Sequence, residues 1–315
     1  MTIYIGIDGG GTKTAAVAAD AEGNILGEAL AGSSNLNGTS EAHVLKTFHT
    51  IKAQLAPHVQ SWRDSVIFAG VAGTSHSAQA EKVHACLREA FGKEPRLTLD
   101  HDGMNALGSV TFGGPGVVQI AGTGAITFGI GKKGERCRVG GWGYLLGDEG
   151  SGFQLGRRAL VQVMKAYDGR GPATALTELA LSKWQVSSPA DLIPKLYGSA
   201  FKETIASFTY ELFQAHADGD RVAAEVVAEA ADELALAIHT ALTKLDLTGD
   251  APRVGLIGGA FQPALQQLLA QKMAQSFAVA PKFIRPQVEP VIGALAWAYT
   301  QAGLAPQQLL QKSFA

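Results

Sequence analysis

The sequence predicts a two-domain α/β protein whose C-terminal half is largely helical. Three observations carry this expectation. The chain has 315 residues, a length that suits two domains. A strand, a glycine loop and a second strand open the chain, and a similar pattern returns at Val118. Between the two hairpins, strand-like and helix-like segments alternate, which favours a parallel or mixed sheet covered by helices.

The first hairpin runs from an apolar strand, Ile3 to Ile7, through Asp8 and the loop Gly9-Gly10-Gly11-Thr12-Lys13 to Thr14 and an apolar stretch. Ala21-Glu22-Gly23-Asn24 reads as a turn into a third strand. The second hairpin, Val118-Gln-Ile-Ala-Gly122-Thr123-Gly124-Ala-Ile-Thr, is followed by Phe128-Gly-Ile and the charged turn at Lys132. Setting Asp8 on Ala121 places Gly9 on Gly122, Gly11 on Gly124 and Thr14 on Thr127. Two such hairpins suggest two related domains; chance similarity of hairpin composition is the alternative.

Residues 41–57 have helical periodicity and stop at Pro57. Val66 to Val71 is a strand, Ser77 to Phe91 a helix and Arg96 to Leu99 another strand. Gly103 to Val110 reads as a helix. The run Gly113-Gly114-Pro115-Gly116 marks a boundary and a hinge. The domains are therefore placed at 1–114 and 115–315. Helices are expected over 152–167, 173–181, 190–197 and 201–217. A long one over 220–245 starts at Asp218-Gly-Asp220. Val254 to Ile257 is a strand running into Gly258-Gly259, and Phe283 to Pro286 a short one. A closing helix, Val291 to Gln301, follows Pro290.

Bulk properties exclude several classes. Hydrophobic residues make up 46% and charged residues 17%, so the chain can build a sizeable core and is not disordered. The net charge of −2, with no long basic run, argues against a nucleic-acid or anionic-membrane partner. Cys86 and Cys137 are the only cysteines, too few for a disulfide framework or a Cys-rich metal site. No histidine has metal-ligand spacing, and His43, His49, His58, His76, His84, His216 and His239 read as surface or capping residues. There is no signal-peptide pattern, and no apolar run reaches the ~20 residues of a membrane helix. The expected location is the cytoplasm.

The chemistry begins at the first loop. Glycines without Cβ let backbone N–H groups approach an anion. Thr12 and Lys13 add donors and a positive charge. Asp8, at the strand end, is a hard oxygen acceptor for Mg²⁺ or its waters. The loop lacks Walker-A spacing and does not fit a dinucleotide fingerprint. It reads as a cradle for the phosphates of ATP, with a plain Gly-rich turn as the bland alternative. Gly122-Thr123-Gly124 is a second phosphate-loop candidate; taken alone, it reads as a tight turn. Gly258-Gly259 after a buried strand would let an adenosine lie against the backbone, with a strand-to-helix turn as the equal alternative.

Asp100 and Asp102 stand just past a strand, where ligands gather in open α/β sheets. Phosphoryl transfer to a hydroxyl needs a carboxylate to orient it and accept its proton. Asp102 is the candidate, with helix capping as the alternative. Gly140 to Gly152 is dense in glycine and contains Trp142, Gly143, Asp148 and Glu149. An aromatic face and a carboxylate are what a sugar ring favours. Asp148-Glu149 would equally fit a helix cap. Ser33-Ser34-Asn35 offers another polar contact or a turn.

These residues together resemble the N-acetylglucosamine kinases and related ATPase activators, the BadF/BadG/BcrA/BcrD ATPase group of the sugar-kinase, hsp70 and actin superfamily. The most specific parts are Gly6-Ile-Asp-Gly-Gly-Gly-Thr-Lys-Thr14, Gly122-Thr-Gly, and Gly141-Trp-Gly followed by Gly147-Asp-Glu-Gly-Ser. The likeness runs from the first strand to the closing helix. It implies two ribonuclease-H-like domains flanking a cleft, with the closing helix packed back on the first. It implies MgATP held by both Gly/Thr loops, with Asp8 near the metal. Asp102 falls on the catalytic aspartate, Asn35, Trp142, Gly143 and Asp148 on sugar contacts, and Thr123 on a phosphate contact.

Ala125 stands where many relatives have Ser. The zinc motif of the repressor and glucokinase group is absent. Cys86 and Cys137 do not look like cluster ligands. The expected activity is transfer of the ATP γ-phosphoryl group to the 6-hydroxyl of an amino sugar, N-acetylglucosamine first. Alternatives are a glucosamine kinase, an ATP-hydrolysing activator of a partner enzyme, and a sensor without turnover. The expected partners are an amino sugar and ATP, with no nucleic acid and no membrane; a homodimer is left open.

Overall fold

The computed structural model describes residues 1–74, 77–249, 251–276 and 279–307. It divides into two compact units, Met1–Pro115 with the segment from Pro286, and Gly116–Arg285. The segment from Pro286, which carries the closing helix, groups with the first unit.

The first unit begins with a mixed sheet. Its strands are β1 (Tyr4–Gly9), β2 (Thr14–Ala19), β3 (Ile25–Ala31), β4 (Val66–Val71) and β5 (Arg96–Asp100), in the order β3-β2-β1-β4-β5. β2 lies antiparallel to β1, with Asp8 opposite Ala15, whereas β4 runs parallel to β1, with Asp8 opposite Gly70. The helices are α1 (Glu41–Leu55), α2 (Ser77–Phe91) and α3 (Asp102–Thr111).

Period-2 alternation decides which strand residues face which helices. Ile3, just before β1, and Ile5 and Ile7 of β1 join Ile67, Ala69 and Val71 of β4 in one buried cluster. Val44, Phe48, Ile51 and Leu55 of α1 and Val83, Leu87 and Phe91 of α2 complete it at helical spacing. Ser40 starts α1 by accepting the His43 N–H.

The second unit repeats this topology. β6 (Gly116–Ala121), β7 (Ala125–Ile130) and β8 (Arg136–Gly140) form the antiparallel part. α4 (Gly152–Tyr167), α5 (Leu176–Trp184), α6 (Ile193–Leu196), α7 (Phe201–Ala206), α8 (Thr209–Ala217) and α9 (Arg221–Lys244) follow. The chain then adds β9 (Arg253–Ile257), α10 (Pro263–Ser276) and β10 (Lys282–Ile284). The sheet order is β10-β9-β6-β7-β8, with β9 parallel to β6. Read from the hairpin outward, both sheets have the same strand order.

α9 supplies the spine of this unit. Val222, Val226, Ala230, Leu234, Ile238 and Leu242 are buried at helical spacing in one cluster. Asp220 caps the helix by accepting the Ala223 N–H at 2.8 Å, and it also accepts the Ala175 N–H and the Thr174 hydroxyl. One carboxylate thus joins the starts of two helices.

Several boundaries differ from the sequence expectation. The helix expected over 201–217 is broken after Ala206: Ser207 Oγ donates to the Thr204 carbonyl, and Phe208 is buried. The helix expected over 173–181 lies three residues later, and 190–197 is a 3₁₀ turn leading into the short α6. α10 lies in a stretch to which the sequence reading gave no element. Its signal is present, with Pro263 at the start and buried Leu265, Leu269 and Met273 at i, i+4, i+8.

The closing helix α11 (Pro290–Gln301) packs on α3, β1 and β4. It covers the sheet face opposite α1 and α2. Tyr299, fully buried, donates to the Asp20 carbonyl at 2.6 Å, and Trp297 donates to the Met104 carbonyl at 2.6 Å. α3 and α11 cross where Gly108 and Gly293 leave room for backbone against backbone. Among the described residues no helix is long and apolar enough to cross a membrane.

Candidate active site

In the first unit the β1–β2 turn is closed by the Gly10 N–H donating to the Lys13 carbonyl at 2.9 Å. Gly9 is buried and Gly10 half-buried, while Gly11, Thr12 and Lys13 are exposed. The segment after β3 is tied to this loop. The Ser34 N–H and the Ser33 hydroxyl both reach the Gly10 carbonyl at 3.2 Å. The buried Thr14 hydroxyl lies 2.9 Å from Ser34 Oγ and 2.8 Å from the Gly32 carbonyl. Asn35 follows, half-buried, and its side-chain oxygen accepts the Asn37 N–H. A run of small polar residues, read as a turn or a ligand contact, is both a turn and the strut of the glycine loop.

Asp8 is the last residue but one of β1 and lies beside α3. Its Oδ1 accepts from Asn105 Nδ2 at 2.7 Å. Burial pushes its carboxyl above the ordinary carboxylate range. Asn105 opposes that shift, Asp102 adds to it, Lys13 opposes it and Glu289 adds to it. Asp102 is the first residue of α3, and its Oδ1 accepts the Gly103 N–H at 3.1 Å. It is not the cap, which is His101. The Asp102 side chain is reached by water, yet crowding by protein atoms pushes its carboxyl upward, against the pull of His101. A raised carboxyl is a better proton acceptor near neutral pH. Asp8, the glycine loop and Asp102 thus cluster at the carboxyl ends of β1 and β5.

In the second unit, Gly122, Thr123, Gly259 and Ala260 line one cavity of about 310 Å³ with Gly152, Thr209, Tyr210 and Phe213. Backbone bonds hold its walls. The Gly152 N–H donates to the Gly122 carbonyl at 2.7 Å, and the Ala260 N–H to the Ala121 carbonyl at 3.1 Å. The two glycine segments read separately in the sequence are therefore neighbours. Backbone edges, hydroxyls and two aromatic rings suit a nucleoside.

The Gly-Trp loop adjoins that wall. Gly140, Gly141, Gly143 and Gly150 have positive φ, and so does Asp148 at 62°. The Asp148 carboxylate accepts the N–H groups of Ala125 and Gly143, and burial pushes it above its ordinary value. The cap of α4 is Ser151, which accepts the Gln154 N–H, so Asp148 and Glu149 are not caps. Trp142 is 65% exposed, and the Arg138 guanidinium lies 4.5 Å from its ring centroid. Arg138 also donates to the Gly140 and Gly141 carbonyls. Asn105, Arg138 and Tyr210 were not picked out in the sequence. Only Asn105 left a signal, three residues after Asp102 on one helix face.

Among the described residues no group of three or more His, Cys, Asp or Glu side chains gathers as a metal cage. One half-buried carboxylate, Asp8, suits Mg²⁺ held chiefly by phosphate oxygens and water. Cys86 is buried and Cys137 half-buried, and burial pushes both thiols up. Of the histidines read as surface or capping, His43, His49 and His58 are exposed and His84, His216 and His239 half-buried. His76 lies outside the described residues.

Residues 5–298 match the model of the BadF/BadG/BcrA/BcrD ATPase family. The chain belongs to that family. It is 32% identical, over 82% of its length and 85% of the relative's, to the N-acetylmuramic acid/N-acetylglucosamine kinase of Clostridium acetobutylicum. It is 32% identical, over 93% and 96%, to the N-acetyl-D-glucosamine kinase of Dictyostelium discoideum. Among solved structures, a candidate N-acetylglucosamine kinase from Chromobacterium violaceum aligns with a TM-score of 0.71 and 29% identity. That alignment covers 94% of this chain and 98% of the other. The two units are those of an actin-like ATPase, a mixed α/β fold built twice.

Proposed function

We propose that this family member is an ATP-dependent kinase that phosphorylates the 6-hydroxyl of an amino sugar, N-acetylglucosamine first. The observation that carries the reading is Asp102. It stands at the carboxyl end of β5, its proton affinity is raised, and it lies close enough to Asp8 to act on that carboxyl. The names of the relatives favour the substrate class.

In this reading Asp102 orients the sugar hydroxyl and takes its proton as the oxygen attacks the γ-phosphorus, the bond from that phosphorus to the β,γ-bridging oxygen breaks and ADP leaves. Asn35, Trp142, Gly143 and Asp148 contact the sugar. The Gly9–Lys13 loop and the Gly122–Gly124 loop hold the phosphates, and the cavity beside Gly259 takes the adenosine. Asp8 is the carboxylate that would hold Mg²⁺ bound with ATP, and the ion would supply neutralisation of phosphate charge. Positioning and charge stabilisation supply most of such catalysis. The buried, upward-shifted Cys86 disfavours a cluster-bearing activator. ADP release is measured with ATP alone and with a panel of N-acetylglucosamine, N-acetylmuramic acid, glucosamine and glucose. Sugar-dependent release led by N-acetylglucosamine supports the reading. Release that ignores every sugar overturns it in favour of an ATP-hydrolysing switch.

A further inference from the structure

Asn105 lies beneath Asp8 and is fully buried. Its Nδ2 stands 2.7 Å from Asp8 Oδ1, 2.9 Å from the Gly70 carbonyl and 3.4 Å from the Ile7 carbonyl. Three acceptors around one nitrogen settle which end of the amide points there. Two N–H groups serve two of them well, and the nearest is the carboxylate. The amide therefore bridges the ends of β1 and β4 and grips one oxygen of Asp8.

The niche is shaped for this side chain. A Cβ on Gly70 would stand 2.1 Å from Asn105 Oδ1, so the amide occupies space that only a glycine leaves open. Asn105 Oδ1 itself is buried without a hydrogen-bond partner among the described residues. An unpaired buried carbonyl destabilises a fold. What the amide gives in return is its donors, and the strongest goes to Asp8. Asn105 is also one turn beyond Asp102, on the same face of α3. One rigid helix thus sets Asp102 directly and Asp8 through Asn105.

We propose that Asn105 is a positioning residue for Asp8, holding the carboxylate in the orientation that receives Mg²⁺–nucleotide. The proposal rests on the kinase reading of Asp8 above. Holding Oδ1 leaves the other oxygen for the waters of a phosphate-bound metal. Outer partners of this kind change metal affinity by roughly 10–100-fold when removed.

The test compares ATP affinity by calorimetry with Mg²⁺ and in EDTA, alongside melting temperature. Asn105→Leu removes the donors at similar volume, and Gly70→Ala displaces the amide without altering it. Each is expected to cut the Mg²⁺-dependent gain in affinity about tenfold, with metal-free ATP affinity within about twofold of the parent. In an Asp8→Ala background, Asn105→Leu should add no further loss, because it acts through Asp8. A lower melting temperature with an intact Mg²⁺-dependent gain overturns the proposal, as does a loss that persists undiminished without Asp8. If Asp8→Ala itself keeps the gain, the kinase reading of Asp8 falls and the proposal with it. If Asp8→Ala loses the gain and Asn105→Leu does not, the proposal alone falls. Should Asn105→Leu not fold, Asn105→Ala carries the same readouts.

Discussion

The carboxylate of Asp148 accepts the backbone N–H of Ala125, fastening the Gly-Trp loop to the first residue of β7. Asp148 does this from the left-handed region, at φ 62°, while also accepting the Gly143 N–H. An Asp tolerates that conformation because its short side chain bonds locally. The same carboxylate is therefore a structural clasp, whatever it offers to a sugar. Each of its oxygens has more than one lone-pair direction, so the two roles are compatible.

Substitutions separate the roles. Asp148→Ala should lower stability by about 1–2 kcal/mol, because two backbone donors lose their acceptor. Asp148→Asn keeps an acceptor and the left-handed backbone, so its melting temperature should stay near that of the parent. If the charge binds sugar hydroxyls, the Asn variant still raises the sugar KM by about one decade or more and leaves the ATP KM alone. A sugar KM unchanged in Asp148→Asn would leave only the clasp.

Asp102→Asn should abolish sugar phosphorylation, by roughly 10²–10⁴ in rate, while retaining ATP binding. It should also stabilise the fold. The folded-state pKa of Asp102 is raised, so the native state holds this proton more readily than the unfolded chain. Ionisation at neutral pH therefore works against folding, and that penalty fades as pH falls through the folded pKa. The variant is expected to melt above the parent at pH 7, with the gap closing towards about pH 4. Loss of rate with a lower melting temperature at pH 7 would point to structural damage instead.

Much of this architecture is legible in the chain. β4 and α4 fall on the residues their apolar patterns mark, because burial on a sheet or helix face leaves a clean period. The repeated hairpin is visible because both copies keep glycine and threonine in the turn. α10 is less visible, since its buried stripe is only Leu265, Leu269 and Met273 among glutamines. The break between α7 and α8 is invisible to periodicity, because Phe208 stays apolar across it. In the site, Asp8, Asp102 and the glycine loops stand out as residue types at strand ends. Asn105 and Arg138 do not, because their meaning lies in contacts with Asp8 and Trp142 that the fold alone creates.

Asp220 gives a pH prediction of opposite sign. Its backbone and side-chain hydrogen bonds hold its carboxyl below the ordinary range, although burial opposes them. A depressed pKa means stability that is present above the unfolded value of ~3.9 and lost as pH falls through the folded value. Asp220→Ala should cost about 1 kcal/mol at pH 7, the usual loss for a helix cap. Thermal melts from pH 7 down to pH 3 should show the parent losing its advantage at the acid end. An advantage that persists undiminished at pH 3 would rule out this linkage.

Two adjacent glycines should respond in opposite ways. Gly258 has φ 114°, and a Cβ there would stand 2.2 Å from the Ala121 carbonyl oxygen. Neither the backbone angle nor that carbonyl can yield cheaply, because Ala121 ends β6 paired with Ala125 and its carbonyl accepts the Ala260 N–H. Gly258→Ala should therefore lower stability by about 1–3 kcal/mol, with any kinetic change following from lost folded protein. A Cβ added to Gly259 would meet nothing within 4 Å, yet this glycine lines the cavity with Gly122 and Thr123. A larger side chain there enters empty space. Gly259→Leu should keep stability within about 0.5 kcal/mol of the parent, as substitutions outside packed contacts do. If the cavity takes the adenosine, the ATP KM should nevertheless rise by about tenfold or more, since the leucine fills the volume the base needs and costs on the order of 1.4 kcal/mol of binding. The sugar KM should not follow. An unchanged ATP KM in a folded Gly259→Leu protein would remove the nucleoside from this cavity, and the phosphate loops would then need a different neighbour.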